Sequence, residues 1–322
     1  MTEPIAADSR FVQHTTRVSA SADVLYELIA DAPSWPTVLG PTIHVERLES
    51  NGVDEVLQLW ATANDSVRTW RSRRHLDPEA RRISFRQVQS PPPLTSMGGA
   101  WILRPVAEDV TEVVLDHDFS VVDNDPEALE WFTTAVDRNS TEELAAMKRL
   151  AENWADRADL TMTFDDSVQI AGDAVRVYDF LCDAGRWPER IPHVSSMELT
   201  EPSPGLQVMT MDTSTADGSV HTTRSVRVCF PSNRIVYKQV QTPTLMAVHT
   251  GEWIIAPNDD GVLATSRHTV VIRPETVTTV LGPDATVADA RKFVREALGR
   301  NSGTTLRYAK NFAEAPDATA AV

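Results

Sequence analysis

Apolar residues recur at Val24, Leu25, Leu28 and Ile29, behind a serine at 21 that suits a helix N-cap and ahead of Pro33, where a helix must stop. A short helix is predicted there, after a strand near Phe11 to Val18. Runs of β-type pattern follow over 44–48, 55–61, 67–76, 82–89, 100–106 and 110–121, separated by Asn-Gly, Asp-Pro, triple-proline and acidic turns. From Pro126 the period lengthens again. Leu129, Phe132, Val136, Met147, Leu150 and Trp154 step by threes and fours, as on one side of a long helix. Strand, short helix, six-strand meander and closing helix predict an α+β unit, a curved antiparallel sheet whose apolar face wraps the last helix. Gly98 and Gly99, ahead of the 100–106 run, read as a turn.

The whole pattern occurs twice. Ala22, Tyr26, Asp31, Ala32, Trp35 and Pro36 are answered 152 residues later by Ala174, Tyr178, Asp183, Ala184, Trp187 and Pro188, as 187 minus 35 shows. The same offset carries Arg82, Ile83, Gln87, Val88, Gln89 and Pro91 onto Arg234, Ile235, Gln239, Val240, Gln241 and Pro243. It then slips, pairing His117 with His268 and Asn139, Ser140 and Leu144 with Asn301, Ser302 and Leu306. A period this long is a domain and not a solenoid repeat, so two domains are expected, residues 1–157 and 158–322.

Three polar intrusions into apolar faces are the candidate chemistry. The 67–76 strand is polar on both sides, and the repeat is used to orient it. Val226 and Val228 mark a buried face shared with Thr222 and Arg224; subtracting 152 puts Trp70, Ser72 and Arg74 inward. An inward guanidinium needs a carboxylate, water or a ligand, and the sequence leaves a structural acid and a substrate both open. On the last strand His117 alternates with Val113, Leu115, Phe119 and Val121, and His268 with Val270 and Ile272. On the long helix Asn139 and Glu143 interrupt the apolar stripe, as Asn301 and Thr305 do in the second copy. Each pattern fits either a wet pocket or a satisfied scaffold.

Composition narrows the partners. Of 322 residues 42% are hydrophobic and 24% charged, which is ordinary globular composition, and 30 basic against 46 acidic side chains leave a net charge of −16. So acidic a chain is a poor match for nucleic acid or an anionic membrane. Cys182 and Cys229 make neither a disulfide framework nor a zinc site, the first residues lack a signal-peptide pattern, and no apolar run is long enough to span a bilayer, so a cytoplasmic protein is expected. No P-loop, dinucleotide fingerprint, HExxH or nucleophile elbow occurs, so neither cofactor nor metal is expected.

Taken together, Ser34-Trp35-Pro36, the W-x-S-x-R run at Trp70, Ser72 and Arg74, the segment from Gln87 to Pro93, the Asp-His-Asp-Phe run around His117 and the helix segment from Arg138 to Leu144 resemble the aromatase/cyclases of bacterial aromatic (type II) polyketide synthases, and the tandem copy resembles their didomain class. The resemblance implies duplicated helix-grip, START-like domains, each with an interior pocket. It implies an enzyme that folds, cyclises and dehydrates a carrier-bound, ketoreduced poly-β-ketone to its first aromatic ring. Its partners would be an acyl carrier protein, a ketoreductase and the minimal synthase. It places catalysis on Arg74, His117 and Ser72, and substrate contacts on Trp35, Trp70, Gln87, Asn139 and Glu143, with Trp187, Arg224, His268 and Asn301 in the second copy. A non-catalytic carrier of a hydrophobic metabolite is the alternative.

Overall fold

The structure is a computed structural model that describes residues 9–63, 66–90, 92–214 and 220–316. Pro91, quoted above in the repeat, lies outside them. The chain divides into two compact units, Met1–Ala155 and Asp156–Val322.

In the first unit β1 (Arg10–Val18) leads into α1 (Ala22–Ala30) and the single-turn α2 (Trp35–Val38). A meander follows of β2 (Thr42–Ser50), β3 (Asp54–Ala63), β4 (Ser66–Asp77), β5 (Arg82–Gln87), β6 (Leu94–Ala107) and β7 (Val110–Val121), and α3 (Pro126–Glu152) closes it. The strands form one seven-stranded sheet in the order β1-β7-β6-β5-β4-β3-β2, antiparallel throughout. After α4 (Trp154–Leu160) the second unit repeats the plan with β8 (Thr161–Ile170), α5 (Ala174–Cys182), α6 (Trp187–Arg190), β9 (Val194–Ser203), β10 (Leu206–Ser214), β11 (Val220–Phe230), β12 (Arg234–Gln241), β13 (Met246–Asn258) and β14 (Gly261–Ile272). Then come α7 (Val277–Leu281) and α8 (Val287–Glu314), and the sheet order is β8-β14-β13-β12-β11-β10-β9. These are two helix-grip units of the α+β class. No helix among the described residues is long and apolar enough to cross a membrane.

Local chemistry sets the helix ends. Ser21 and Asp173 accept from the backbone N–H of Val24 and Val175, capping α1 and α5, and Thr286 with Asp289 forms a capping box on α8. Each core lies between sheet and helices. In the first unit Leu25, Leu28 and Ile29 of α1 pack with Ile83, Trp101, Leu115, Leu144 and Met147, and in the second Phe180, Leu181, Ile235, Trp253 and Leu306 do the same.

Three expectations are corrected. Gly98 and Gly99 are not a turn: both lie inside β6, which begins at Leu94. A Cβ on Gly99 would stand 1.9 Å from the Asp116 carbonyl oxygen and 2.8 Å from the Phe85 ring, so the glycine is what allows that ring to cross the sheet. The buried stripe of α3 runs through Val136, Ser140, Leu144, Met147 and Ala151, so its polar member is Ser140, with Ser140 and Leu144 in the places expected of Asn139 and Glu143, while Trp154 is exposed.

The third correction concerns Arg224, which is exposed; the buried arginine of β11 is Arg227. Arg74 faces Glu55 and Phe85 across the sheet, as Arg227 faces Gln207 and Tyr237, so the two arginines are equivalent at an offset of 153. The β10–β11 hairpin carries one residue more than β3–β4, since Thr62 pairs with Val67 but Ser214 with Val220, and the next turn is one shorter. A one-residue slip exchanges the faces of a strand. Val226 and Val228 are buried on the face opposite Arg227, so the constant-offset argument reached the right face of β4 through two errors that cancel.

Gly99→Ala is expected to destabilise the protein by about 3 kcal/mol, because the clash is with backbone that cannot rotate away. A urea midpoint unchanged from the parent would show that β6 and β7 can separate without loss.

Candidate functional site

Arg74 is buried at 3% exposure, inward as expected, but the scaffold occupies its donors. Nε and Nη2 donate to Glu55 Oε2 at 3.2 and 2.7 Å, Nη1 to the Ile29 carbonyl at 2.8 Å, and Nη2 to the Ala30 carbonyl at 2.7 Å. The last two acceptors are free carbonyls at the C-terminal end of α1, where a cation is favoured. The guanidinium also lies 5.0 Å from the centre of the Trp35 ring, whose indole N–H donates to the Leu28 carbonyl. Glu55 takes a further bond from Arg47 at 3.0 Å. Through these contacts the charge of Arg74 clamps α1 and Trp35 to the sheet. Ser72 is buried too, and its hydroxyl is 3.3 Å from the Arg86 carbonyl.

His117 is where the sheet meets the long helix with a polar group. Its Nδ1 lies 3.3 Å from the Ser140 hydroxyl on α3, and Phe85 turns its ring edge-on at 5.5 Å between centroids. Burial, with a smaller push from His14, lowers the imidazole to about 4, so it is neutral at physiological pH. His14 is itself paired with Asp137 at 3.0 Å. Glu143, half-buried and three residues beyond Ser140, has its carboxyl raised to about 7 by desolvation and then by Glu142. That places a proton-exchanging acid near neutrality on α3.

Trp70 and Trp35 are half-buried against Ala32, Val45, Leu57 and Leu59. Gln87 is half-buried, accepting from Ser90 at 2.9 Å. Asn139 is half-buried, and the helix residue that reaches the histidine is its neighbour Ser140, which the sequence reading missed although the i, i+4 series Val136, Ser140, Leu144 carried the signal.

The second unit differs. Trp187 is buried, donates to the Phe180 carbonyl and lies under Arg227 at 5.4 Å. Arg227 donates to the Leu181 carbonyl at 2.5 Å, the counterpart of the Ile29 contact, but Gln207 stands where Glu55 does, and Arg227 Nη1 has no partner among the described residues. Asn301 is half-buried, and its carbonyl accepts from Thr305. His268 is buried at 3% and bonded through both ring nitrogens. Among the described residues no group of three His, Cys, Asp or Glu side chains could hold a metal ion.

Two outcomes follow from this geometry. Glu55→Gln removes one partner of a buried ion pair and is expected to cost about 3 kcal/mol, read as a lower urea midpoint; an unchanged midpoint would mean the helix-end carbonyls suffice for Arg74. His117 is held neutral down to about 4, so as pH falls through about 6.5 the unfolded chain takes up a proton that the fold refuses. Stability is therefore lost on acidification, by about 2 kcal/mol for this residue between pH 7 and pH 5, and His117→Gln should flatten that dependence by the same amount in paired urea titrations.

Comparison with known proteins agrees with this architecture. Residues 10–152 and residues 170–301 each match a family model described as polyketide cyclase/dehydrase and lipid transport. The chain is 47% identical over 303 residues to the granaticin polyketide synthase bifunctional cyclase/dehydratase of Streptomyces violaceoruber, covering 94% of each chain. It is 46% identical to the actinorhodin polyketide synthase bifunctional cyclase/dehydratase of Streptomyces coelicolor, over 92% of this chain and 95% of that one. The crystal structure of the di-domain ARO/CYC BexL from the BE-7585A biosynthetic pathway matches with a TM-score of 0.88 at 49% identity, over 95% of this chain and 99% of the other. The di-domain ARO/CYC StfQ from the steffimycin pathway gives 0.84 at 38%, over 94% and 98%. With both units matched by family models and nearly the full length matched by two-domain relatives, the chain belongs to the polyketide cyclase/dehydrase family, as a didomain aromatase/cyclase enzyme of type II polyketide biosynthesis.

Proposed function

We propose that the protein takes a carrier-bound poly-β-ketone with one ketone already reduced, folds it between sheet and long helix, and closes and aromatises its first six-membered ring. An acyl carrier protein would present the chain, with the minimal synthase and a ketoreductase acting before it. The observation that carries the reading is the neutral, buried imidazole of His117 meeting Ser140 at the junction of β7 and α3, with Glu143 poised near neutrality on the same helix.

Closure forms one C–C bond: a carbon flanked by two carbonyls loses a proton and attacks a ketone carbon, whose oxygen takes a proton. Aromatisation then removes two waters, one from that new carbinol and one from the carbinol left by ketone reduction. Each elimination needs a base for the hydrogen on the adjacent carbon and an acid for the departing hydroxyl. In the first unit His117 serves as the base, with Ser140 fixing the ring, and protonated Glu143 as the acid. Trp35, Trp70, Gln87 and Asn139 form the surrounding wall, where flat side chains restrict the chain to a reactive shape. Arg74 enters this reading as the clamp that keeps Trp35 in place.

The test is reconstitution of the full chain with a minimal synthase, carrier protein and ketoreductase. Products with an aromatised first ring are expected, and shunt products unchanged by the protein would reject the reading. His117→Ala should slow aromatisation about 100-fold. With Glu143 acting as an acid raised to about 7, the rate should fall as pH rises through 7, and Glu143→Gln should lower the rate and abolish that fall.

A further inference from the structure

The two units share a buried histidine on the last strand, but what surrounds it differs at three equivalent positions. Phe85 pairs with Gly99 and Gly99 with His117, as Tyr237 pairs with Gly251 and Gly251 with His268. Tyr237 thus stands in the place of Phe85. By the same ladders His249 stands in the place of Met97, opposite Phe119 in one unit and Val270 in the other, and Ser266 in the place of Leu115, opposite Trp101 and Trp253. Three apolar side chains have become three groups able to hold or move a proton, all directed at one imidazole.

The bonds they make form a chain. Tyr237 Oη lies 3.1 Å and His249 Nε2 3.0 Å from the same atom, His268 Nδ1, while Ser266 Oγ lies 3.0 Å from His268 Nε2. The two imidazoles are stacked, 5.3 Å apart at 28°. Gly251 makes the arrangement possible, since a Cβ there would fall 2.2 Å from the Tyr237 ring and hydroxyl. His249 is 2% exposed and its Nδ1 has no partner among the described residues, whereas Tyr237 is only half-buried. A buried nitrogen left unsatisfied in this way is a position waiting for a hydrogen-bonding ligand.

We propose that the second unit holds a proton relay of its own, Tyr237–His268–His249, which removes one of the two waters from a β-hydroxy ketone ring. The proposal rests on the aromatising activity described above and adds where one elimination takes place. His249 Nδ1 takes the proton from the carbon beside the carbonyl, that C–H electron pair becomes the new C=C, and the C–O bond breaks as the Tyr237 hydroxyl gives its proton to the leaving hydroxide, which departs as water. The Nε2 proton of His249 then moves to His268 Nδ1 and on to Tyr237 Oη, which reprotonates the tyrosine with no co-reactant; His249, left as its Nδ1–H tautomer, regains the starting form by exchanging protons with water once the product has left. Ser266, by accepting from His268 Nε2–H, keeps Nδ1 as the acceptor the relay needs. Desolvation keeps both rings neutral at working pH, His268 lowered to about 4 and His249 well below its ordinary value, as a relay that begins from uncharged groups requires.

The experiment uses the full-length protein in the reconstituted system, comparing the parent with Tyr237→Phe and His249→Gln. Because phenylalanine already occupies the equivalent position in the first unit, Tyr237→Phe is expected to fold, which its thermal midpoint checks. The expected result is a ring-closed product one water heavier than the parent's, accumulating as the final dehydration slows about 100-fold in both variants. Aromatised product formed at the parental rate by both variants, in a system where the parent itself is active, would overturn the relay and leave the activity standing. A parent that directs no aromatised ring would overturn the activity, and the relay with it.

Discussion

A single buried cation organises each unit. The fourth strand of each unit sends an arginine from the sheet, Arg74 in the first and Arg227 in the second, to the carbonyls that end the short helix and beneath the tryptophan that follows it. A helix end and an indole are both poor at holding a position by apolar contact alone, since one presents unsatisfied oxygens and the other a broad flat face. A guanidinium satisfies both at once, with planar donors for the oxygens and a charged face for the ring. The junction of short helix, indole and sheet is therefore fixed by electrostatics, and the apolar core closes around it.

Keeping a charge there requires compensation, and the units solve this differently. In the first, Glu55 sits between Arg74 and Arg47 and supplies a full negative charge. In the second, Gln207 takes that position and spends its amide on the Cys182 carbonyl and on Glu201, so Arg227 keeps the helix contact without the acid. The histidine on the last strand differs in the opposite sense: among the described residues it is bonded to Ser140 alone in the first unit and through both ring nitrogens in the second. The two copies thus differ in their polar interiors while both sheets keep the same strand order.

Much of the fold was legible because it depends on periodicity. The helices at Ala22 and Pro126, the alternation of β7 around His117 and the duplication itself follow from patterns that a sheet and a helix must obey. What the pattern could not convey was pairing. Nothing in the spacing of Glu55 and Arg74, 19 residues apart, reveals that they meet across a ladder, so the acid that partners the inward arginine could not be named from the sequence. Ser140 was hidden by a different ambiguity, because a serine on an apolar stripe looks like a tolerated small residue until the opposite strand is known. Tyr237 and His249 were invisible as site residues because they converge on His268 from two other strands.

The extra residue in the β10–β11 hairpin and the missing one in the turn after it matter beyond the alignment. Between them the two copies are out of phase, and in the strands that flank them, β3 with β10 and β5 with β12, they are in step. Recombining the units is thus safe only when the crossover points lie on either side of that stretch. A splice within β4 or β11 that follows the constant 152-residue spacing would turn the guanidinium toward water and an exposed residue toward the core, so engineers exchanging halves of this enzyme have a defined block, strands three to five, that must travel whole.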